Sequence, residues 1–493
     1  MEADPLSQSI EPTSALSSRA FLLSAAVALV AGGLLRIWML RKFFEVNGDS
    51  QLYGGMAKNL LLQGRYAVAD GNGMLHSTLI RLPGYPLFLA ACFQLFGMEN
   101  YIAAACVQIV LELIGCVLLA LFAWRVSPTA FRMRSAHAAL WLAALCPFTA
   151  IYAAEPLTEA PTLFAIALAL WALARFQDRD DWGSALAFTL SVTYAALLRP
   201  DGALVGAALL LPMLFAPMHR IGMVAQSAGP RTSRSIDLPS AHLRKVLVCL
   251  LLALTPFTLW TIRNWRVFHV FQPLAPRYAT DPGEDTWPGW QRWVKTWCLD
   301  FVSTYQVYWN MPGAPLDIKQ LPGRAIDSPA QYAETAKLMA DYEANGEEMS
   351  QELDARFGQL ADARIAAHPL RSHVLLPLGR MADMWVRPRV ENLPIDLDWW
   401  VYKHHHVETR FTWFYAGLNA FYLLLGLAGL LLRPRLWVWT LLYMALRSAL
   451  LCTIEAPEAR YTIECFPMLF VLGGIALGRL FAPRPIASRT TSV

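Results

Sequence analysis

Blocks of about twenty consecutive apolar residues recur along this chain, and that feature decides the fold class. A helix of roughly 20 apolar residues spans the ~30 Å hydrocarbon core of a bilayer. The blocks are Ala20–Leu40, Ile102–Trp124, His137–Ala153, Leu157–Phe176, Gly183–Leu198, Ala203–Met218, Val246–Ile262, Trp413–Leu432, Leu436–Cys452 and Cys465–Phe481. They predict an all-α polytopic membrane protein with about ten transmembrane helices. Only 16% of residues are charged and 56% are hydrophobic, where soluble domains carry about a quarter charged residues. A formal charge of +4 does not argue for a nucleic-acid partner. The first block is too long for a signal peptide and reads as a retained span. The eight cysteines lie mostly in or beside apolar blocks, with Cys298 alone deep in a polar segment, and no CxxC pair suggests zinc.

Arginine placement sets the orientation. One set of short connections holds Arg125, Arg132 and Arg134; Arg175 and Arg179; Arg220, Arg231, Arg234, Arg244 and Lys245; Arg433 and Arg435; and Arg484 and Arg489. The opposite set is nearly bare: Ala154–Thr158 has no base, and Arg199 and Arg460 stand alone. Basic loops stay cytoplasmic, which predicts both termini inside a cell's inner (plasma) membrane. Two long segments, Arg41–Tyr101 and Arg263–Thr412, then face outward, to the periplasmic side. The expected organisation is an N-terminal transmembrane module (1–262) whose first outer loop (41–101) carries the site, a mostly helical outer-face loop domain (263–412), and C-terminal helices with a cytoplasmic tail (413–493). Ser328–Ala367 suits helices, Pro273–Gly289 reads as loop, and Gln226–Ser240 as an inner linker.

Chemistry-bearing residues gather on the outer side. After Asn47-Gly48-Asp49-Ser50, apolar residues from Leu52 to Leu61 recur at helical spacing, predicting a juxtamembrane helix on the membrane surface. Asp49 at its start is either a general base or a helix N-cap. Arg81-Leu82-Pro83-Gly84-Tyr85-Pro86 predicts a rigid turn, and Leu87–Phe96 is too short to span. Glu155 and Glu159 flank Pro156 with helical spacing. They form either a second acidic site, orienting an acceptor or holding a divalent cation, or charges paired with a helix N-terminus. Arg199, Arg263 and Arg460 sit where an anionic lipid phosphate would lie, and a guanidinium binds phosphate through two N–H groups. Each can equally be a snorkelling span end. His404-His405-His406 reads as exposed loop, because consecutive side chains cannot all face one ion. Arg36 and Arg447, inside apolar blocks, read as structural or cavity-facing.

Taken in order, these motifs resemble the bacterial GT-C glycosyltransferases, in particular glycosyltransferase family 39 with its protein O-mannosyltransferase and aminoarabinose transferase relatives. The matching pieces are Gly48-Asp49 with Tyr53 and Ala57; Gly64-Arg65-Tyr66; Arg81 through Phe88; Glu155-Pro156; Leu198-Arg199-Pro200; Thr261-Ile262-Arg263-Asn264-Trp265; and Arg460-Tyr461. The resemblance implies inverting transfer of a sugar from a polyprenyl-phosphate donor, with Asp49 as catalytic base. Asp49 lacks the paired acidic neighbour of the protein mannosyltransferases, which puts a protein acceptor in doubt and leaves glycan, lipid or protein open. The expected site is then Asp49 and Glu155 as catalytic residues, Arg263, Arg460 and Arg199 on the donor phosphate, and Arg81, Tyr85 and Tyr53 in the pocket wall. No cofactor is settled by the sequence, and a divalent cation at the acidic pair stays open. The other expected partners are membrane lipids. The rival functions are a lipid-linked sugar flippase, which needs polar residues along a mid-membrane path, and a non-catalytic scaffold.

Overall fold

A computed structural model describes residues 19–46, 48–215, 240–401 and 403–482. Asn47, Arg220, Arg231, Arg234, Arg484, Arg489 and nearly all of the Gln226–Ser240 linker lie outside the described residues. The N-terminal part runs α1 (Arg19–Phe43), α2 (Gly48–Gln63), a short hairpin β1 (Ala67–Ala69) and β2 (Leu75–Ser77), α3 (Gly84–Phe96), α4 (Tyr101–Val126), α5 (Arg132–Ala144), α6 (Pro147–Ala154), α7 (Glu159–Arg179), α8 (Trp182–Leu198), α9 (Ala203–Leu214) and α10 (Ser240–Phe268). The hairpin is antiparallel with Val68 opposite His76. Next come α11 (Pro288–Lys295), α12 (Pro329–Ala344), α13 (Gln351–Ala367) and α14 (Leu376–Val386), then α15 (His406–Leu431), α16 (Trp437–Leu451) and α17 (Phe466–Leu480).

The chain is an all-α polytopic membrane protein. Each of the ten predicted blocks is helical, but length supports fewer full spans. Six helices are long and apolar enough to cross a membrane, or seven with the bent pair α5–α6 counted as one. The remaining blocks form α8, α9 and α16, with 17, 12 and 15 residues. Pro200, which cannot continue a helix, stops α8. The predicted surface helix is α2, and α3, at 13 residues, is too short to span, as expected.

Local chemistry sets several boundaries. Asn100 caps α4 by accepting from the Ala103 N–H, and Asp181 caps α8 by accepting from Ser184. In the bundle, α17 lies against α5 and α15 with backbone-close contact. A Cβ at Gly429 would meet the Leu472 carbonyl oxygen at 1.8 Å, so only glycine fits there.

The segment between α10 and α15 has a core of its own, built on Trp290, Trp293, Trp297, Leu338, Tyr342 and Phe357. Ser328 and Ser350 cap α12 and α13, so the expected Ser328–Ala367 helices form. The Asp354 carboxylate accepts from the Gly289 and Trp290 N–H groups at the start of α11. Cys298 is buried in this core, and all eight cysteines are free.

Arg36 is a structural residue. Fully buried on α1, it pairs with Glu112 of α4 at 2.8 Å and donates to the carbonyls of Gly32 and Ala144 at 3.0 and 2.7 Å. Ala144 ends α5 where Pro147 starts α6, and the two helices meet at 51°. The break frees carbonyls that lipid cannot satisfy, and Arg36 satisfies one of them. The bend aims α6 at Glu155. Glu112→Leu therefore strands a buried guanidinium and destabilises the fold by about 3–5 kcal/mol. Thermal unfolding of purified protein measures this, and the double change Arg36→Met with Glu112→Leu recovers much of the loss.

Candidate active site

The first turn of α2 carries Asp49, and both its carboxylate oxygens face guanidiniums. Arg81, just before α3, donates to Oδ1 at 2.9 Å. Arg460, in the turn leading into α17, lies 3.6 Å from Oδ2. Asp49 is the second residue of α2, inside its first turn. Burial raises the Asp49 pKa, but Arg81 and then Arg460 outweigh it and hold the carboxyl below the usual aspartate range. Asp49 is therefore an anion at any physiological pH.

Two adjoining cavities meet at this carboxylate. The larger, about 1000 Å³, is lined by Glu45, Asp49, Arg81, Glu155, Tyr305, Tyr308, Glu391, Asn392, Glu458 and Arg460 among others. The second, about 650 Å³, shares Asp49, Arg81, Arg277 and Arg460. Its remaining wall includes Tyr53, Leu82, Leu198, Leu204, Leu450, Leu451 and Ile454. The larger chamber mixes polar and apolar surface in about equal parts, and the second is mainly apolar, with a flank from α8, α9 and α16.

Glu155 follows α6 and opens into the larger chamber. Asn392 donates to its Oε1 at 2.8 Å, and its backbone carbonyl accepts from Gln108 at 2.6 Å. Burial pushes its pKa up to about 8, with the bond from Asn392 only partly opposing this and Glu159 adding to it. Glu155 thus holds its proton at neutral pH. Two carboxyl groups from distant loops share one cleft in opposite protonation states.

The other expected site residues divide. Arg460 lines both chambers; its Nε pairs with Glu458 at 2.6 Å. Arg199 lines the second chamber, where its guanidinium pairs with Glu159, Asp201 and Glu464 at 3.0, 3.3 and 3.2 Å. Arg447, buried on α16, completes this network on Asp201 and Glu464 at 3.0 and 2.7 Å. Glu159 thus starts α7 as an ion-pair partner. Arg263 stands apart from the other expected residues. It lines neither chamber, and its guanidinium donates to the carbonyls of Thr78 and Tyr66 at 2.8 and 2.9 Å, clasping the first loop to α10. Tyr53 lines the second chamber, but Tyr85 is buried behind the wall. The Tyr85 hydroxyl donates to Gln108 at 2.6 Å, so it supports the side chain that holds Glu155's backbone.

Glu458, Glu391, Asn392, Tyr308 and Arg277 also line the cleft and were not predicted. Glu458 had a signal, standing two residues before Arg460, the single base of the connection between α16 and α17. Glu391 and Asn392 come from the segment after α14, and nothing local in the sequence points them at the cleft. The cleft carboxyls do not form a cation cage. Asp49 faces two guanidiniums and Glu155 accepts from Asn392. Among the described residues, Asp396, Asp398 and His405 do converge, outside the cleft, and His405 is the sole member of the three consecutive histidines in that group.

Comparison with known proteins adds a family. Residues 81–260 match the family model for dolichyl-phosphate-mannose-protein mannosyltransferase. That stretch holds Arg81, Glu155, Glu159 and Arg199, but not Asp49 or Arg460. No curated protein matches by sequence. Among solved structures, the Archaeoglobus fulgidus oligosaccharyltransferase tethered to an acceptor peptide is 13% identical, with a TM-score of 0.47 over 94% of this chain. The chain spans about half that protein's length, 50%. ArnT from Cupriavidus metallidurans bound to undecaprenyl phosphate is 15% identical, with a TM-score of 0.36 over 94% of this chain and 78% of that one. The family likeness is thus carried by residues 81–260, which resemble the mannosyltransferase family.

The protonated state of Glu155 has a stability signature. A carboxyl whose folded pKa, about 8, lies above its ordinary 4.5 holds the proton more tightly when folded. Its contribution is complete below the ordinary value and is lost as pH rises toward 8. Glu155→Gln therefore gains stability relative to the unchanged protein as pH rises from 5 to 8, read by thermal unfolding of both at each pH. A gap that does not change with pH would mean that Glu155 ionises normally.

Proposed function

We propose that the chain is a membrane glycosyltransferase that moves a sugar from a polyprenyl-phosphate donor to an acceptor hydroxyl at the outer face, with inversion. The observation that carries this reading is Asp49, an ionised carboxylate between two arginines where a mainly apolar chamber meets a more polar one. The lipid chain of the donor enters along Leu82, Leu204, Leu450 and Leu451, and its phosphate reaches Arg81 and Arg460. The acceptor comes from the larger chamber. Its hydroxyl oxygen attacks the anomeric carbon, the carbon–oxygen bond to phosphate breaks, and the lipid phosphate leaves with the electron pair. Asp49 takes the acceptor proton, and the guanidiniums stabilise charge growing on the phosphate. A single displacement from the face opposite the leaving group inverts the anomeric centre.

Asp49 paired with two arginines is a weak base, which donor binding remedies. A phosphate at Arg81 and Arg460 competes for the guanidiniums, so the Asp49 pKa rises toward its ordinary value once the donor is seated. Glu155, still protonated, donates a hydrogen bond that orients the acceptor. The family match over residues 81–260 supports the reaction class. The arginine asymmetry of the short loops supports the outer face and the inner membrane. A flippase reading loses ground because Arg36 and Glu112 are paired with each other, and Arg447 with Asp201 and Glu464. Sugar, acceptor and lipid length stay open.

Asp49→Asn tests the base directly. It keeps the shape of the side chain but cannot take the proton, so transfer from a labelled donor falls at least ~10²-fold. Donor binding, measured on the same protein, is retained. Near-normal turnover would sink the base assignment.

A further inference from the structure

A third cavity, of about 380 Å³, lies outside the cleft in the segment between α10 and α15. That volume is in the range of small-ligand sites, roughly 300–1,000 Å³. Its wall combines Trp399 and Trp400 with Ser303, Gln306, Arg324 and Asp383 among others. The two indoles stand nearly perpendicular, at 82°, with ring centres 5.8 Å apart. Trp400 is 52% exposed, so its ring is open to a ligand.

The polar groups around the rings are held in place. Arg324 donates to Asp300 Oδ2 at 2.6 Å, to Ser303 Oγ at 2.9 Å and to the Trp297 carbonyl at 2.9 Å. Arg387 pairs with Asp383 at 3.5 Å, and burial holds the Asp383 carboxyl up to about 6. Among the described contacts the side-chain amide of Gln306 has no hydrogen-bond partner, though the residue is half-buried. The two arginines of the wall are balanced by Asp300 and Asp383, so the cavity carries no net charge.

We propose that this cavity is a binding site for a neutral saccharide. An aromatic face beside alternating donors and acceptors, with no net charge, matches a pyranose ring. The C–H face of the sugar lies on an indole, and the hydroxyl edge meets the Gln306 amide, the Asp383 carboxyl and Arg324. An anionic ligand is disfavoured because both guanidiniums are already neutralised by carboxylates. A ring of interfacial tryptophans facing lipid is the competing account of Trp399 and Trp400. It does not explain why Trp400 shares its cavity with two ion pairs and a spare amide.

The cavity stands back to back with the cleft. Phe301 and Tyr305 line the cleft, while Val302, Ser303 and Gln306 of the same segment line the saccharide cavity. Arg387 reaches through, pairing with the cleft residue Glu391 at 2.8 Å. A glycan held here sits one wall away from Asp49. The site itself stands whether or not Asp49 is a catalytic base.

Binding to the full-length protein in lipid nanodiscs tests the proposal, by ligand-observed saturation-transfer NMR. The probes are mannotriose, maltotriose and chitotriose, with trigalacturonate as the anionic control. At least one neutral trisaccharide binds and trigalacturonate does not. Trp400→Ala and Gln306→Ala each weaken that binding about tenfold, as expected for losing one stacked ring or its hydrogen-bonding edge. Asp49→Asn leaves it unchanged. Thermal unfolding checks that both cavity variants are folded, and Gln306→Ala decides the matter if Trp400→Ala is not. Failure of every neutral probe to bind would overturn the proposal. So would preferred binding of trigalacturonate, undiminished binding in the folded cavity variants, or loss of binding in Asp49→Asn. Because the readout is binding and not turnover, none of these results bears on the transfer reaction.

Discussion

A buried ion network at the cleft-side ends of the helices holds this site together. Arg199, closing α8, reaches Glu159 of α7, Asp201 before α9 and Glu464 before α17, and Arg447 of α16 reaches Asp201 and Glu464. Two guanidiniums therefore tie the ends of five helices, α7, α8, α9, α16 and α17, to one another. Buried charges are expensive, and removing one partner leaves the others uncompensated, so the arrangement is all-or-none. By holding Glu464 it helps fix the turn that carries Arg460 beside Asp49, together with Arg389, which donates to the Ala459 carbonyl at 2.7 Å.

On that frame the site uses position more than rare chemistry. Asp49 and Glu155 are ordinary carboxyls driven apart by their surroundings. Two arginines keep one ionised; burial beside Asn392 keeps the other protonated. The same guanidiniums that quiet Asp49 are the groups a phosphate would claim. An empty site thus stores its base in a weak form.

Much of this was legible in the sequence, for physical reasons. Apolar length marks spans because lipid demands it, and each predicted block is a helix. By length alone α8, α9 and α16 fall short of a full span, as the blocks Gly183–Leu198, Ala203–Met218 and Leu436–Cys452 already do in the sequence. Asp49 and Arg81 were readable because both lie in one loop with recognisable motifs. Arg460 was readable from its isolation in a base-poor connection, yet the same argument selected Arg263 and Arg199. What separates them is which carbonyls and carboxylates surround each guanidinium, and those partners lie up to 265 positions away in the chain: Arg263 meets Tyr66 and Arg199 meets Glu464. Asn392 was invisible for the same reason, meeting Glu155 across 237 positions.

The central claim is that a lipid-phosphate sugar reacts at Asp49 between Arg81 and Arg460. The most direct measurement incubates purified protein in lipid with a panel of polyprenyl-phosphate sugars and candidate acceptors, and follows lipid-phosphate release and product mass. The account predicts that one donor is consumed, that the product's anomeric configuration is inverted, and that Asp49→Asn stops consumption. Consumption of a donor at the same rate by Asp49→Asn, or retention of configuration in the product, would contradict it.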